Sequence, residues 1–192
     1  GRVTVDGQDF VIAKREVLYI GRETCRVTFE SLDTARPACF YLNSVSAGTR
    51  HPHRLIRRDE AKKIAIGDSK KCNYRNLAMY IHPEVAPSCL LMLGITDVNP
   101  GNNWNTMPPH LHERRMEAYL YFDIAAEDRV FHFMGRPEET RHLTVADRQA
   151  VLSPSWSIHM GVGTGPYSFI WGMTGENQAY TDVTPLAPAD LL

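Results

Sequence analysis

The sequence of 192 residues lacks an excess of charge of either sign, a long hydrophobic run and any closely spaced pair of cysteines. Lys and Arg total 21 and Asp and Glu total 22, so the net charge of -1 offers no basic surface for nucleic acid or for an anionic membrane. No apolar stretch is long enough to span a bilayer or to form the core of a secretion signal. The four cysteines show no C-x-x-C spacing. These absences predict a cytoplasmic protein that binds a small molecule or another copy of itself.

A helical period of 3.6 residues is equally scarce, whereas short runs of β-branched and aromatic residues recur between turn formers. The hydrophobic content of 43% is enough to bury a sizeable core. The sequence therefore predicts an all-β fold. The strands expected outside the segment 101–122 are 3–5, 10–12, 17–20, 26–29, 38–42, 77–81, 88–98, 130–134, 141–145, 150–152, 158–162 and 167–173.

The segment 48–75 interrupts this pattern with polar residues, glycine and a run of charges. We expect a linker with one short helical turn at 59–63, because mixed charges of this kind are typical of a solvated face. The segment also contains His51-Pro52-His53. A proline within the motif and the absence of a nearby carboxylate on a strand favour a loop feature over a binding site.

Two imidazoles and a carboxylate occur close together in the segment 101–122. His110 and His112 are two positions apart, so on a strand both side chains point to the same face. Glu117 follows five residues later within an apolar run and can return a carboxylate to that face. Such a set suits zinc, iron, manganese or nickel better than calcium or magnesium. A single His-x-His among eight histidines can arise by chance, and this segment supplies no fourth ligand.

A further histidine, His159, ends the sequence Ser-Pro-Ser-Trp-Ser-Ile-His of residues 153–159. It follows a proline turn and precedes a glycine-bearing break, which favours a strand end at the mouth of a barrel. The H-x-H-x4-E pattern followed by this histidine resembles the two-part motif of the cupins, which are double-stranded β-helix (jelly-roll) barrels. The resemblance implies a metal set of His110, His112, Glu117 and His159, with coordination positions left open for water or substrate.

The domain organisation predicted from the sequence is a tandem of two such barrels. Residues 14–21 and 147–154 occupy similar places after a short strand and its turn, which indicates an internal repeat. Residues 1–47 are interpreted as the C-terminal part of a degenerate first barrel, 48–75 as the linker and 76–192 as the metal-binding second barrel. Since the sequence enters directly at a strand, we expect the first barrel to lack its early strands.

A resemblance to one family extends over essentially the whole chain. It is carried by N-x-W-N-T-M-P and H-E-R-R-M-E within 101–117, by 139–142, by 153–159 and by the segment 169–178. These stretches resemble the 4-deoxy-5-ketouronate isomerases of pectin breakdown, also called 4-deoxy-L-threo-5-hexosulose-uronate ketol-isomerases. The resemblance implies a cytoplasmic bicupin with one zinc ion per subunit, a small-molecule uronate substrate and a homo-oligomer, specifically a hexamer.

The resemblance also implies an aldose-to-ketose conversion of 5-dehydro-4-deoxy-D-glucuronate to 3-deoxy-D-glycero-2,5-hexodiulosonate. A proton must move from C2 to C1, and the metal would stabilise the enediolate formed on the way. The general base stays open between Glu117, a metal-bound hydroxide and a residue behind the ligands. By strand parity with Glu117, Tyr119 and Tyr121 are expected to point into the same cavity, and at least one of them is expected to fill the barrel.

The substrate carboxylate calls for a basic partner. The sequence offers Arg141, Arg115 and Arg75, each of which also suits a surface salt bridge. Two other functions remain compatible with the same ligands. One is a cupin dioxygenase that uses iron, and the other is a non-catalytic sugar-binding cupin.

Overall fold

The computed structural model describes residues 1–192 and contains seventeen strands and two single-turn 3-10 helices. The strands are β1 (Arg2–Val5), β2 (Gln8–Val11), β3 (Val17–Tyr19), β4 (Val27–Glu30), β5 (Arg54–Ile56), β6 (Lys62–Ile66), β7 (Arg75–Ile81), β8 (Met92–Val98), β9 (Trp104–Asn105), β10 (His110–Leu111), β11 (Arg115–Phe122), β12 (Val130–Arg136), β13 (Glu139–Val145), β14 (Ala150–Ser153), β15 (Ile158–Gly163), β16 (Ser168–Gly175) and β17 (Thr184–Pro185). The 3-10 helices are Ser69–Lys71 and Pro188–Asp190, and neither has the length or apolarity to cross a membrane. The all-β prediction is confirmed.

Two antiparallel sheets form the barrel that holds the site. The larger has six strands in the order β14-β11-β16-β8-β7-β6, and the smaller has four in the order β13-β12-β15-β9. Alternate side chains of each strand point inward, and they form a core of 13 buried residues that includes Met92, Tyr121, Val130 and Phe169. Burial of this apolar surface is the main term that holds the two sheets together.

Strand β8 is buried on both faces, which explains why its sequence is apolar almost throughout. Met92 belongs to the barrel core, whereas Leu93 and Ile95 belong to a second core of eight buried residues. That second core also contains Tyr19 and Ile56 from the N-terminal segment. The N-terminal segment thus covers the outer face of the six-stranded sheet. It forms two small sheets of its own, β2-β1-β4 and β3-β5.

The local structure of the expected linker differs from the prediction. The helical turn at 59–63 is absent, and the segment instead contains β5 and β6. Strand β6 pairs with β7 from Lys62 opposite Met79 to Ile66 opposite Arg75. Its lysines suit this position because β6 is an edge strand, where charged side chains remain in solvent. The division into tandem barrels stays a prediction.

The strand expected at 38–42 is also absent. This stretch has no ladder partner, and its Phe40 packs against Phe29 of β4 with the ring centroids 5.1 Å apart. Its aromatic character therefore serves packing rather than strand pairing. The remaining predicted strands are present, with ends that shift by a few residues.

Candidate metal centre

The four residues of the predicted metal set meet between the two large sheets. His110 lies on β10 and His112 follows it, Glu117 lies on β11 of the six-stranded sheet, and His159 lies on β15 of the four-stranded sheet. Strand alternation turns both histidines of the H-x-H motif to one side, and their ring centroids are 4.9 Å apart. The structure therefore brings together side chains that the chain separates by up to 49 positions.

The donor atoms are close enough to share one ion. Glu117 Oε2 lies 3.1 Å from His159 Nε2 and 3.3 Å from His112 Nε2, and His159 Nε2 lies 3.0 Å from His110 Nε2. Donors held about 2.1 Å from one metal ion are themselves about 3.0–3.4 Å apart in octahedral or tetrahedral arrangements. Three imidazole nitrogens and one carboxylate oxygen at these spacings fit a divalent first-row metal.

Backbone carbonyls orient two of the imidazoles. His112 Nδ1 lies 2.8 Å from the carbonyl oxygen of Asp182, and His110 Nδ1 lies 3.3 Å from that of Pro108. Because a carbonyl oxygen only accepts, each Nδ1 carries the proton and donates it. Each Nε2 is then left with a lone pair that faces the other donors, which is the arrangement found behind metal-binding histidines.

The electrostatics favour the protonation states that metal binding needs. Burial, together with the neighbouring His159 and His112, lowers the pKa of His110 to about 3, so the ring is neutral at pH 7. Burial by itself raises the pKa of Glu117, but its contacts with His159 and His112 outweigh burial and hold that pKa well below the usual range. A neutral imidazole and an ionised carboxylate are the forms in which these two side chains bind metal.

A cavity of about 170 Å³ opens beside these four residues. His110, His112 and Glu117 line one part of it, and Leu77, Phe169, Trp171 and Met173 supply apolar walls. Glu117 is the only carboxylate among the lining residues, whereas two arginines, Arg75 and Arg115, also face the space. A small site with apolar walls and few charged groups is typical of a binding site for a small polar molecule.

Arg115 is buried behind the metal set, and its guanidinium contacts Asp182, Met92 and His112. It is 2% exposed, its Nη2 donates to the Asp182 carbonyl oxygen at 2.9 Å, and its Nη1 lies 3.7 Å from Met92 Sδ. The same Nη2 lies 3.2 Å from His112 Nδ1. Arg115 and His112 therefore share one carbonyl acceptor, which fixes both side chains.

The two tyrosines expected in the cavity have different places. Tyr119 lines the cavity, and its hydroxyl lies 3.2 Å from Thr106 Oγ1. Tyr121 is fully buried below it and does not line the cavity; its hydroxyl lies 2.7 Å from His132 Nδ1. Burial raises the pKa of both phenols well above the ordinary value, so both are protonated at neutral pH. The prediction that at least one of them fills the barrel describes Tyr121.

Arg141, one of the three arginines offered for the substrate carboxylate, lies outside the cavity. It is on β13, an edge strand of the four-stranded sheet, and its side chain is 70% exposed. Its Nη2 pairs with Glu139 Oε1 at 2.7 Å. Residues 141–144 of β13 are all exposed, so Arg141 is a surface ion-pair residue.

Several residues of the site were not identified from the sequence. Thr106, Tyr180 and Val183 line the cavity, Asp182 orients His112 through its carbonyl, and His132 is buried beneath the tyrosines. Burial lowers the pKa of His132 to about 3, so this ring too is neutral. No local pattern marks these positions, because each contact joins segments that are distant in sequence.

The family model described as the KduI/IolB family matches residues 1–185 of the chain. A protein of Yersinia enterocolitica serotype O:8 named 4-deoxy-L-threo-5-hexosulose-uronate ketol-isomerase is 51% identical over 191 residues. The match covers 100% of this chain and 69% of that protein. Proteins of the same name from Yersinia pseudotuberculosis and Yersinia pestis are also 51% identical, with the same coverage.

Among solved structures, the chain is similar to an IolB-like protein from Salmonella typhimurium LT2, with a TM-score of 0.69. The match covers 96% of this chain and 75% of that one, at 15% sequence identity. At this identity the likeness concerns the fold alone, and it agrees with the two-sheet β-barrel described above.

Proposed function

This chain belongs to the KduI/IolB family, and on that premise we propose that it is a metal-dependent ketol-isomerase acting on 4-deoxy-L-threo-5-hexosulose uronate in the breakdown of pectin. Its curated relatives are isomerases by name. The observation that carries the proposal is a set of three histidines whose ligand nitrogens lie within 4.8 Å of one another, with the Glu117 carboxylate oxygen 3.1–3.3 Å from two of them, beside a small cavity.

The metal would be held by His110, His112, Glu117 and His159, and zinc is the ion we propose. A divalent ion in this position supplies Lewis acidity to the oxygens of a sugar bound in the cavity. All four ligands are at least largely buried, and only His110 is more than 5% exposed. Their rigid support by strands and backbone carbonyls keeps the donor spacing fixed, which is what preorganised binding requires.

Apart from the metal-binding imidazoles, the ionisable lining residues divide into a group that can accept a proton and groups that can only donate one. Glu117 is the only lining carboxylate and is ionised, so it is the residue we assign to take the proton from C2 and return it to C1. Tyr119 is protonated, because burial raises the pKa of its phenol. Its hydroxyl can therefore donate a hydrogen bond to a substrate oxygen but cannot act as the base at neutral pH. The apolar walls formed by Phe169 and Trp171 exclude bulk water from this exchange.

The experiment is a metal-removal assay on the purified chain. Treatment with a strong chelator should abolish conversion of the aldose uronate to the ketose, and zinc should restore it. His159→Ala should not be restored, whereas His51→Ala, from the other His-x-His sequence, should behave like wild type. Isomerisation must also continue without oxygen, since no oxidant enters the reaction. Full activity in the metal-free protein would contradict the metal role, and oxygen-dependent turnover would contradict the isomerase assignment.

We also propose a cytoplasmic homo-oligomer, with six subunits as the family resemblance implies. Light scattering coupled to size-exclusion chromatography gives the mass in solution. One subunit has a mass of 21.7 kDa. A single peak of that mass would contradict this part of the proposal.

A further inference from the structure

Arg75 is a buried cation without an anionic partner. It is the first residue of β7, it is 7% exposed, and its side chain lines the same cavity as the metal set. Its Nη1 donates to the carbonyl oxygen of Asn73 at 3.0 Å and its Nη2 donates to that of Met107 at 3.2 Å. Both acceptors are neutral, and no carboxylate lies within ion-pair distance.

Such a group is uncommon in a protein interior, because a buried charge is normally paired. The half-buried Arg15 of this chain follows the rule and pairs with both Asp97 and Asp123. Arg75 uses two of the five N–H groups of its guanidinium in the contacts with Asn73 and Met107. Donors therefore remain for an oxyanion inside the cavity, and a guanidinium binds a carboxylate with two parallel hydrogen bonds.

The other two arginines suggested by the sequence do not present free guanidinium donors to the cavity without a nearby carboxylate. Arg141 is on the surface with Glu139, outside the cavity. Arg115 lines the cavity, but Nη2 is committed to the Asp182 carbonyl and Nη1 faces Met92 Sδ. Its Nε lies 3.9 Å from the Asp182 carboxylate, so this arginine already has an anion beside it. Arg75 alone among the three faces the cavity without a carboxylate partner.

We propose that Arg75 is the anchor for the substrate carboxylate, so that the cavity selects acidic sugars over neutral ones by binding the acid group at Arg75 and the reacting carbons beside the metal set. This inference rests on the proposed function, because it assumes that a uronate is the substrate. It assigns a specificity role to one residue and leaves Arg115 as a positioning residue for His112.

The test compares the uronate with its neutral methyl ester on zinc-loaded enzyme. For wild type we expect the acid to have a kcat/KM about 100-fold higher than the ester, as expected for loss of one buried charge pair. Arg75→Met should lower the value for the acid by about 100-fold, chiefly through KM, and change that for the ester by less than about 3-fold. Arg136→Met removes an exposed arginine at the end of β12 and is the matched control, with both substrates unaffected.

The comparison of acid and ester on wild type needs no variant, so it can overturn the inference even if Arg75→Met does not fold. Arg75→Lys keeps the charge and should retain part of the preference for the acid. Equal use of acid and ester by wild type, or an unchanged preference in a folded Arg75→Met, would overturn the inference.

Failure of the proposed function gives a different result. Wild type would then convert neither compound, and calorimetry with D-glucuronate and D-glucose on zinc-loaded protein would test the anchor separately. Tighter binding of the acid that is lost in Arg75→Met would support the anchor. Equal binding of both sugars would overturn it.

Discussion

Binding of zinc should raise the thermal stability of the chain by an amount that depends on all four donors. The four donor atoms come together only in the folded state, because His110 and His159 are 49 positions apart and lie on strands in different parts of the barrel. The unfolded chain retains only the local donors His110, His112 and Glu117, which form a much weaker site without a fixed geometry. Metal binding is therefore coupled to folding.

The magnitude follows from this linkage. An ion that binds only the folded state stabilises it by RT ln(1 + [L]/Kd), which is about 2.7 kcal/mol when the free ion is present at 100 times its Kd. For a domain of 150–250 residues, each kcal/mol shifts the midpoint of thermal unfolding by about 2–4 °C. Zinc should therefore raise the Tm of the metal-free protein by about 5–10 °C at that concentration.

Differential scanning calorimetry of metal-free protein with and without zinc measures the shift. His159→Ala removes the donor in contact with both Glu117 and His110, and it should reduce the shift to less than about 2 °C. His51→Ala should keep the full shift, since His51 lies in the N-terminal segment, away from the donor set. An equal rise in Tm for wild type and His159→Ala would refute the reasoning, because the ion would then bind elsewhere.

Three further predictions follow from contacts around the site. Arg141→Ala should leave kcat and KM within about 2-fold of wild type in steady-state assays, since an exposed ion pair contributes little; a loss of 10-fold or more would contradict its surface role. Tyr121→Phe leaves His132 Nδ1 buried without its partner, so chemical denaturation should show a loss of about 1–3 kcal/mol while zinc binding persists; an unchanged stability would show that this contact contributes nothing. Both His110 and His132 have a pKa near 3 when folded, below the ordinary value of 6.5, so the unfolded state binds more protons between these limits. The unfolding free energy of metal-free protein should therefore fall as pH decreases from 6.5, by up to about 1.4 kcal/mol per pH unit for each ring, and His132→Phe should show a shallower slope in denaturation curves measured from pH 6.5 to 4.5.

The strands were largely predictable because their signal is local. Alternation of apolar and polar residues over four to eight positions is written in the sequence itself. The segment 62–66 was not predicted as a strand because it is largely exposed and begins with two lysines, a composition that resembles a solvated helix or loop. The segment 38–42 has strand-like composition but no partner, and pairing is a property of two segments rather than one.

The sequence by itself determined the fold class and supplied the candidate donor set. The spacing of His110 and His112 places both rings on one face of a strand, and the motif around His159 completes a four-donor pattern. The strand periodicity and the H-x-H spacing are local to short segments, whereas His159 entered the set through the resemblance of its motif to the cupin pattern, and neither needs coordinates.

Only the tertiary structure decided what surrounds the donors. It separated three equivalent-looking arginines into a surface residue, Arg141, a supporting residue, Arg115, and an unpaired cavity cation, Arg75. It likewise placed Tyr119 in the cavity and Tyr121 beneath it, although both share the same strand parity. The physical reason is that burial and partner choice arise from contacts between strands far apart in the chain, and the identity of a residue does not contain that information.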